Sequence, residues 1–174
     1  MIEVVVSRLG MDSTSQSYVV VLQEKNGTRM LPIWIGQAEA HSIVVHMHGV
    51  KHERPFTHDL CRSLIVQLGG ALRRVQVTRV ENSTYYGELH IDRGGSVVHV
   101  DSRPSDAIAI AIRLDAPIFA AESLLVEPGE DESDAMAEEA SLPGTSSESS
   151  ELSAEQLKEY LEHLRPEDFG KFNL

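Results

Sequence analysis

A single cysteine, Cys61, stands in the 174 residues, so neither a disulfide framework nor a cysteine cage for zinc can form within the chain. A reducing compartment, the cytoplasm, is expected. No apolar run approaches the roughly 20 residues that cross a bilayer, so a soluble protein without a membrane partner is expected. The chain opens Met1-Ile2-Glu3, with an acid where a secretory leader needs a positive flank and only Val4, Val5 and Val6 as an apolar run, so no export signal is expected. Aromatic residues make up 5%. Trp34 and the pair Tyr85-Tyr86 read as core or interface residues, because no basic strand interleaves them as a base-stacking platform would require. Missing too are a phosphate-cradling Walker loop, a dinucleotide-binding glycine pattern, a nucleophile elbow and a zinc-protease helix, which leaves nucleotide-cofactor and serine-hydrolase chemistry without support. Apolar residues at 41% exclude disorder throughout, and the length suits one ordinary domain.

Positive charge is scarce overall, with 15 Lys+Arg against 27 Asp+Glu, but the deficit is local. Residues 1–126 hold 12 basic and 13 acidic side chains, and residues 127–174 hold 3 and 14. The body is near neutral and can still present local arginine clusters to phosphate. Its cations are mostly arginine, the better phosphate fork. Three segments are expected: a folded body over 1–127, a disordered acidic linker over 128–151, and a short C-terminal helix and tail over 152–174. The linker is Glu, Ser, Asp, Gly and Pro with too little to bury. In the last segment Ser153 and Gln156 fit a capping box, and Leu157, Leu161 and Leu164 form a stripe that Pro166 ends. So short an amphipathic helix needs a surface to dock on, either the body or a protein partner.

Within the body, Val4–Arg8 and Ser17–Glu24 are rich in β-branched residues, and Asn26-Gly27 before Thr28–Ile35 predicts a two-residue hairpin. Gln37–His48 reads as a helix, with Ala40, Ile43, Val44 and Met47 at i, i+3, i+4 and i+7 and Gly49 as its stop. Thr57 is placed to cap a second helix that ends at Gly69, with Leu60, Leu64 and Leu68 on one apolar face widened by Cys61 and Ile65. Ala71–Glu81, Thr84–Asp92 and Ser96–Val100 alternate as strands, the last two flanking a Gly94-Gly95 turn. Pro104 opens a third helix running to Arg113, with Ile108, Ala111 and Ile112 inward. Pro117–Phe119 and Ser123–Val126 read as short closing strands. The expected fold class is α+β, a mixed or antiparallel sheet with hairpins and about three packed helices.

One local pattern recurs. Arg54-Pro55-Phe56-Thr57-His58-Asp59 and Asp101-Ser102-Arg103-Pro104-Ser105-Asp106 each place an Arg-Pro and a hydroxyl residue before an aspartate at a helix start. Free backbone N–H groups and the positive end of the dipole, beside an arginine, make such a start a phosphate holder. The same residues also serve as plain caps and first-turn charges. Glu39, Asp59, Asp101 and Asp106 lie at helix starts or strand ends, where separate segments can converge on a cation such as Mg²⁺, which needs only one or two carboxylates beside water and substrate phosphate. Surface pairing with arginine is the plain alternative for each. Five histidines, His41, His46, His48, His52 and His58, crowd into eighteen residues. No two of them lie four apart within one predicted helix, which argues against a zinc site there. His58, beside Thr57 and Asp59, is placed either for proton transfer or as a satisfied helix-start histidine.

At these residues the sequence resembles the bifunctional nuclease domain family, long described as a bacterial domain of unknown function and found also in plants. The resemblance rests on four blocks in order: Leu31–Gly36 with Glu39-Ala40, Arg54-Pro55 with Thr57–Leu60, Val100–Ala109, and Pro117–Phe119. It spans about residues 1–127 and covers the tail only loosely, in the leucine helix and Arg165–Phe169. It implies a compact α+β body, a homodimer, and nuclease activity on DNA and RNA of the kind attributed to plant members. Carried onto this sequence, it marks Glu39, Arg54, His58, Asp59, Asp101, Arg103 and Asp106. In that reading Arg54 and Arg103 hold the scissile phosphate, His58 serves proton transfer with Asp59, Asp101 and Asp106 as catalytic acids, and Mg²⁺ or Mn²⁺ is held by a subset of Glu39, Asp59, Asp101 and Asp106.

Two functional readings follow. One is a metal-assisted phosphodiesterase on nucleic acid with little sequence preference, since no element looks suited to reading base edges. The other is a non-catalytic dimeric regulatory or protein-interaction module.

Overall fold

The computed structural model describes residues 1–12 and 17–128, which all fall in the first of the chain's two compact units, Met1–Ser133. The expected acidic linker beyond Pro128 and the C-terminal leucine helix lie outside the described residues. The fold is α+β. Strands β1 (Ile2–Asp12), β2 (Ser17–Glu24) and β3 (Met30–Ile35) precede helices α1 (Gln37–Met47) and α2 (Thr57–Gln67). Strands β4 (Gly70–Glu81), β5 (Thr84–Arg93) and β6 (Ser96–Ser102) lead into α3 (Pro104–Arg113), and β7 (Ile118–Ala120) follows. The strands form one seven-stranded mixed sheet ordered β3-β2-β1-β7-β4-β5-β6, in which only the β4–β7 pair is parallel.

Alternation along each strand makes one face of this sheet apolar. Val4, Val20, Leu22, Leu31, Ile33, Val75, Val77, Leu89, Ile118 and Ala120 point to that face and pack with Ile43 of α1 and with α3. Helix α3 is buried almost all round, from Ala107 through Ala111. It rests on β4 and β5 and is flanked by α1 and α2. The residues between the core positions, such as Trp34, Gln76, Glu88 and His90, fall by the same alternation on the opposite face. Among the described residues no helix is long and apolar enough to cross a membrane.

Several local expectations need correction. The Asn26-Gly27 turn is not a two-residue loop: neither residue takes positive φ, which a type I′ turn demands. The loop opens to Lys25–Thr28 and is closed by Glu24 N–H donating to Arg29 O at 2.9 Å and by an Arg29–Glu24 ion pair. Gly94 and Gly95 do take positive φ, 61° and 84°, and form the tight β5–β6 turn. Thr57 is the first helical residue of α2 and not its cap. Phe56 occupies the cap position, and its backbone N–H donates to the Asp59 carboxylate at 2.9 Å. The α2 leucines face outward, with Leu60 and Leu64 each 50% and Leu68 64% exposed, while Cys61 and Ile65 meet the core. Ser123–Val126 is mostly a 3₁₀ turn, Glu122–Leu124, and contributes only a bridge from Val126 to Met30. Trp34 is an exposed face residue whose indole N–H donates to Asp12.

Candidate active site

Helix α1 starts after Gly36, α2 after Phe56 and α3 after Arg103, and side chains from these three starts line one open cleft of about 600 Å³. Glu39 sits in the first turn of α1, His58 in that of α2, and Asp106 in that of α3. Arg103, the residue before Pro104, lies between two of them. Its Nε donates to Asp106 Oδ2 at 2.7 Å and its Nη2 to Glu39 Oε1 at 2.7 Å. On the other side of Asp106, Oδ1 lies 3.1 Å from His58 Nε2, and His58 Nδ1 lies 2.8 Å from the buried Ser42 Oγ. The chain Ser42–His58–Asp106–Arg103–Glu39 therefore joins α1, α2 and α3 at their site ends.

Donor rules assign the protons in this chain. Arg113 Nη2, a donor only, reaches Ser42 Oγ at 3.0 Å, so the hydroxyl accepts there. Its own O–H is then available to His58 Nδ1, which leaves the imidazole proton on Nε2, directed at Asp106. The Asp106 carboxyl feels burial, which raises its pKa, but the hydrogen bonds from Arg103 and His58 outweigh this and hold it below its ordinary range. Arg103 is raised still further above its usual value by Asp106 and Glu39. Two carboxylates against one guanidinium leave the cleft's fixed charge at minus one.

A second cleft of about 550 Å³ adjoins the first and shares Pro55 with it. Its lining holds Lys51, Arg54, Arg62 and Arg113 against Glu53 and Asp59, a fixed charge of plus two, together with His46 and His52. At its floor is Arg113, whose side chain is 2% exposed. Every guanidinium nitrogen has an acceptor: Nε donates to Asp59 Oδ1 at 2.6 Å, Nη1 to Ala109 O at 2.8 Å, and Nη2 to Ser42 O and Oγ. Burial raises the Asp59 pKa, but the hydrogen bonds from Arg113 and the Phe56 amide prevail and leave it lowered.

Of the residues singled out in the sequence, the fold brings Glu39, His58, Arg103 and Asp106 to the first cleft and Arg54 and Asp59 to the second. Asp101 lies on β6 as the register partner of Glu88. The pair fit for a hard divalent ion is Glu39 with Asp106, two carboxylates drawn to the same guanidinium, and Mg²⁺ asks for no more from a protein. Ser42 and Arg113, central to the arrangement, were not marked by any motif. Apart from Ala109, one turn before Arg113, their partners stand 16 to 71 residues away in sequence, a separation that no local pattern reports.

The profile of the bifunctional nuclease domain matches residues 20–133. An uncharacterized protein of Mycobacterium tuberculosis is 41% identical over 170 residues, 96% of this chain and 97% of its own length. Bifunctional nuclease 2 of Arabidopsis thaliana is 32% identical over 103 residues, 57% of this chain and 31% of its own. Bifunctional nuclease 1 of Oryza sativa subsp. indica is 26% identical over 110 residues, 62% of this chain and 33% of its own. The matched region contains both clefts and every residue of the Ser42-to-Glu39 chain, and the protein belongs to the bifunctional nuclease domain family.

Proposed function

We propose that this protein is a divalent-cation-dependent phosphodiesterase that cleaves DNA and RNA with little sequence preference. The observation that carries the reading is the pairing of an anionic cleft with a cationic one on either side of Pro55. A polynucleotide laid across them places one phosphate against Arg54, Lys51 and Arg62, where guanidinium forks suit phosphate. The neighbouring phosphate falls beside His58, Arg103 and Asp106. Arg103, 65% exposed, has N–H groups to offer that phosphate, and His58 Nε2, 3.1 Å from Asp106 Oδ1, is the group beside it suited to proton transfer. Ser42 keeps the imidazole in the Nε2–H tautomer while Asp106 orients it.

A cleft of charge minus one repels a phosphodiester unless a cation enters with it. Mg²⁺ or Mn²⁺ on Glu39 and Asp106 would make the local charge positive and supply Lewis-acid polarisation of the phosphoryl oxygen. Plant relatives named bifunctional nucleases support the activity. The free thiol of Cys61 fits a cytoplasmic setting. The test is cleavage of single- and double-stranded DNA and RNA by purified protein with and without Mg²⁺ or Mn²⁺. Cleavage that requires the metal and is lost in a folded Asp106→Asn protein is expected; no cleavage under any of these conditions contradicts the proposal.

One observation favours the second reading, a dimeric interaction module. Among the outward leucines of α2, Leu64 and Leu68 line one apolar recess with Val98 of the edge strand β6. Such a surface is suited to a second copy of the chain. A homodimer is compatible with either reading, and sedimentation measurements on the wild type and on Leu64→Glu test it.

A further inference from the structure

We propose that Glu88, His90 and His99 form a binding site for a borderline first-row divalent cation of the Zn²⁺ class, on the sheet face opposite the helices and separate from the nuclease clefts. Strand alternation puts Glu88 and His90 on one face, since Leu89 between them is in the core. The tight Gly94-Gly95 turn then fixes His99 directly opposite His90. The result is three ligand atoms, one from each side chain, all within 4.8 Å of one another.

The three side chains already converge on one another. His90 Nε2 lies 2.9 Å from Glu88 Oε2, His99 Nδ1 lies 3.0 Å from Oε1, and the two rings are tilted 46° to each other with centroids 4.1 Å apart. In a tetrahedral zinc site with bonds near 2.0–2.1 Å, ligand atoms stand about 3.3 Å apart. The two histidines contact different oxygens of Glu88, so one carboxylate oxygen serves the cation: the histidine on that oxygen opens by a few tenths of an ångström, and the other closes on it from within 4.8 Å. A neutral imidazole binds in the tautomer whose Glu88-facing nitrogen carries the lone pair: that nitrogen gives its proton to water and the other ring nitrogen takes one up, with no net release of protons. Two imidazoles and one carboxylate are donors for Zn²⁺ and its neighbours, not for Mg²⁺, which wants oxygen. His90 is 6% exposed and fixed by its surroundings, whereas His99 is 53% exposed and leaves an entry and an open fourth position. Across the ladder, Arg74 pairs with His90 and Asp101 with Glu88, so one further charge of each sign flanks the site.

The test is competition of the full-length wild type with a chromophoric chelator for Zn²⁺, with Co²⁺ visible absorption as a second readout. His99→Ala and Glu88→Gln are the variants, because His99 is exposed and neither residue lies in the clefts. His48→Ala serves as the control, and matched circular dichroism establishes folding. About one equivalent of Zn²⁺ per chain is expected, held in the presence of millimolar Mg²⁺. Groups that only hydrogen-bond to a metal ligand are worth about 10–100-fold in metal affinity, so loss of a ligand in either variant weakens binding at least about tenfold. His48→Ala leaves binding unchanged. Absence of stoichiometric binding, binding indifferent to both variants, or displacement by Mg²⁺ overturns the proposal. None of these outcomes depends on nuclease activity.

Discussion

Arg113 shows how much of the site is held by one side chain. Its buried guanidinium ties the end of α3 to the Ser42 backbone of α1 and to Asp59 of α2, and through Ser42 Oγ it also sets the tautomer of His58. Replacing it by methionine preserves bulk but removes the ion-pair partner of Asp59, which keeps only the Phe56 N–H, and the donor to Ser42 Oγ. Breaking a fully buried ion pair costs about 3–5 kcal/mol; Asp59 is a third exposed and solvent screens the charge left behind, so Arg113→Met is expected to lose about 2–3 kcal/mol in urea unfolding. A loss under about 1 kcal/mol would contradict the role given to it. The acids Asp59 and Asp106 make a related prediction about pH. Both are held below the ordinary 3.8 in the folded protein, so the unfolded chain takes up their protons first. Their contribution to stability is full above the unfolded value and is lost as pH falls through the folded ones. Unfolding free energy measured from pH 6 to pH 2 is expected to fall less steeply below pH 4 in Asp59→Asn than in wild type. At this scale the sequence was partly legible. Arg103 and Asp106 stood out because their motif is local, whereas Ser42 resembles any small helix residue until Arg113 and His58 are placed against it.

Elements carry the site by their starts. Gly87 of β5 lies where α3 begins, and an added Cβ would meet Pro104 N and Cα and Ser102 O, each at 3.1 Å. All three are backbone atoms that cannot swing aside. Gly87→Ala is therefore expected to push the start of α3 off the sheet, taking Arg103 and Asp106 with it, at a stability cost of about 1–3 kcal/mol. The measurement is cleavage rate beside urea unfolding; an active, fully stable variant would show that the approach is not tight. Strand and helix order was readable from periodicity, including the β5–β6 hairpin whose register pairs His90 with His99. That register is fixed by a two-residue turn, so the Glu88 cluster was implicit in the sequence, hidden because its residues belong to two strands. The α2 face was less readable. Leu60, Leu64 and Leu68 obey a helical period as well as Cys61 and Ile65 do, and periodicity alone does not say which stripe meets the sheet and which is left outside.

Across the whole molecule, charge is the organising quantity. The body over 1–126 is close to neutral, with 12 basic and 13 acidic residues, and the segment 127–174 has 3 and 14. An acidic segment tethered to a body with a cationic cleft is expected to compete with polyanions for the body's arginines. Chain ending at Glu127 is expected to bind single-stranded DNA more tightly than the full chain at low salt, with the difference shrinking as salt rises and screening shortens. Equal affinity at all salt concentrations would rule out such competition. The most direct test of the central claim, that one cleft grips phosphate and the other performs the cleavage, is steady-state kinetics on a single-stranded substrate for wild type, Arg54→Ala and His58→Ala at saturating Mg²⁺. The account predicts that Arg54→Ala raises KM roughly tenfold or more with kcat kept, as loss of a charged hydrogen bond should. It predicts that His58→Ala lowers kcat by about 10²–10⁴-fold with KM little changed. Wild-type kinetics in both folded variants would contradict it.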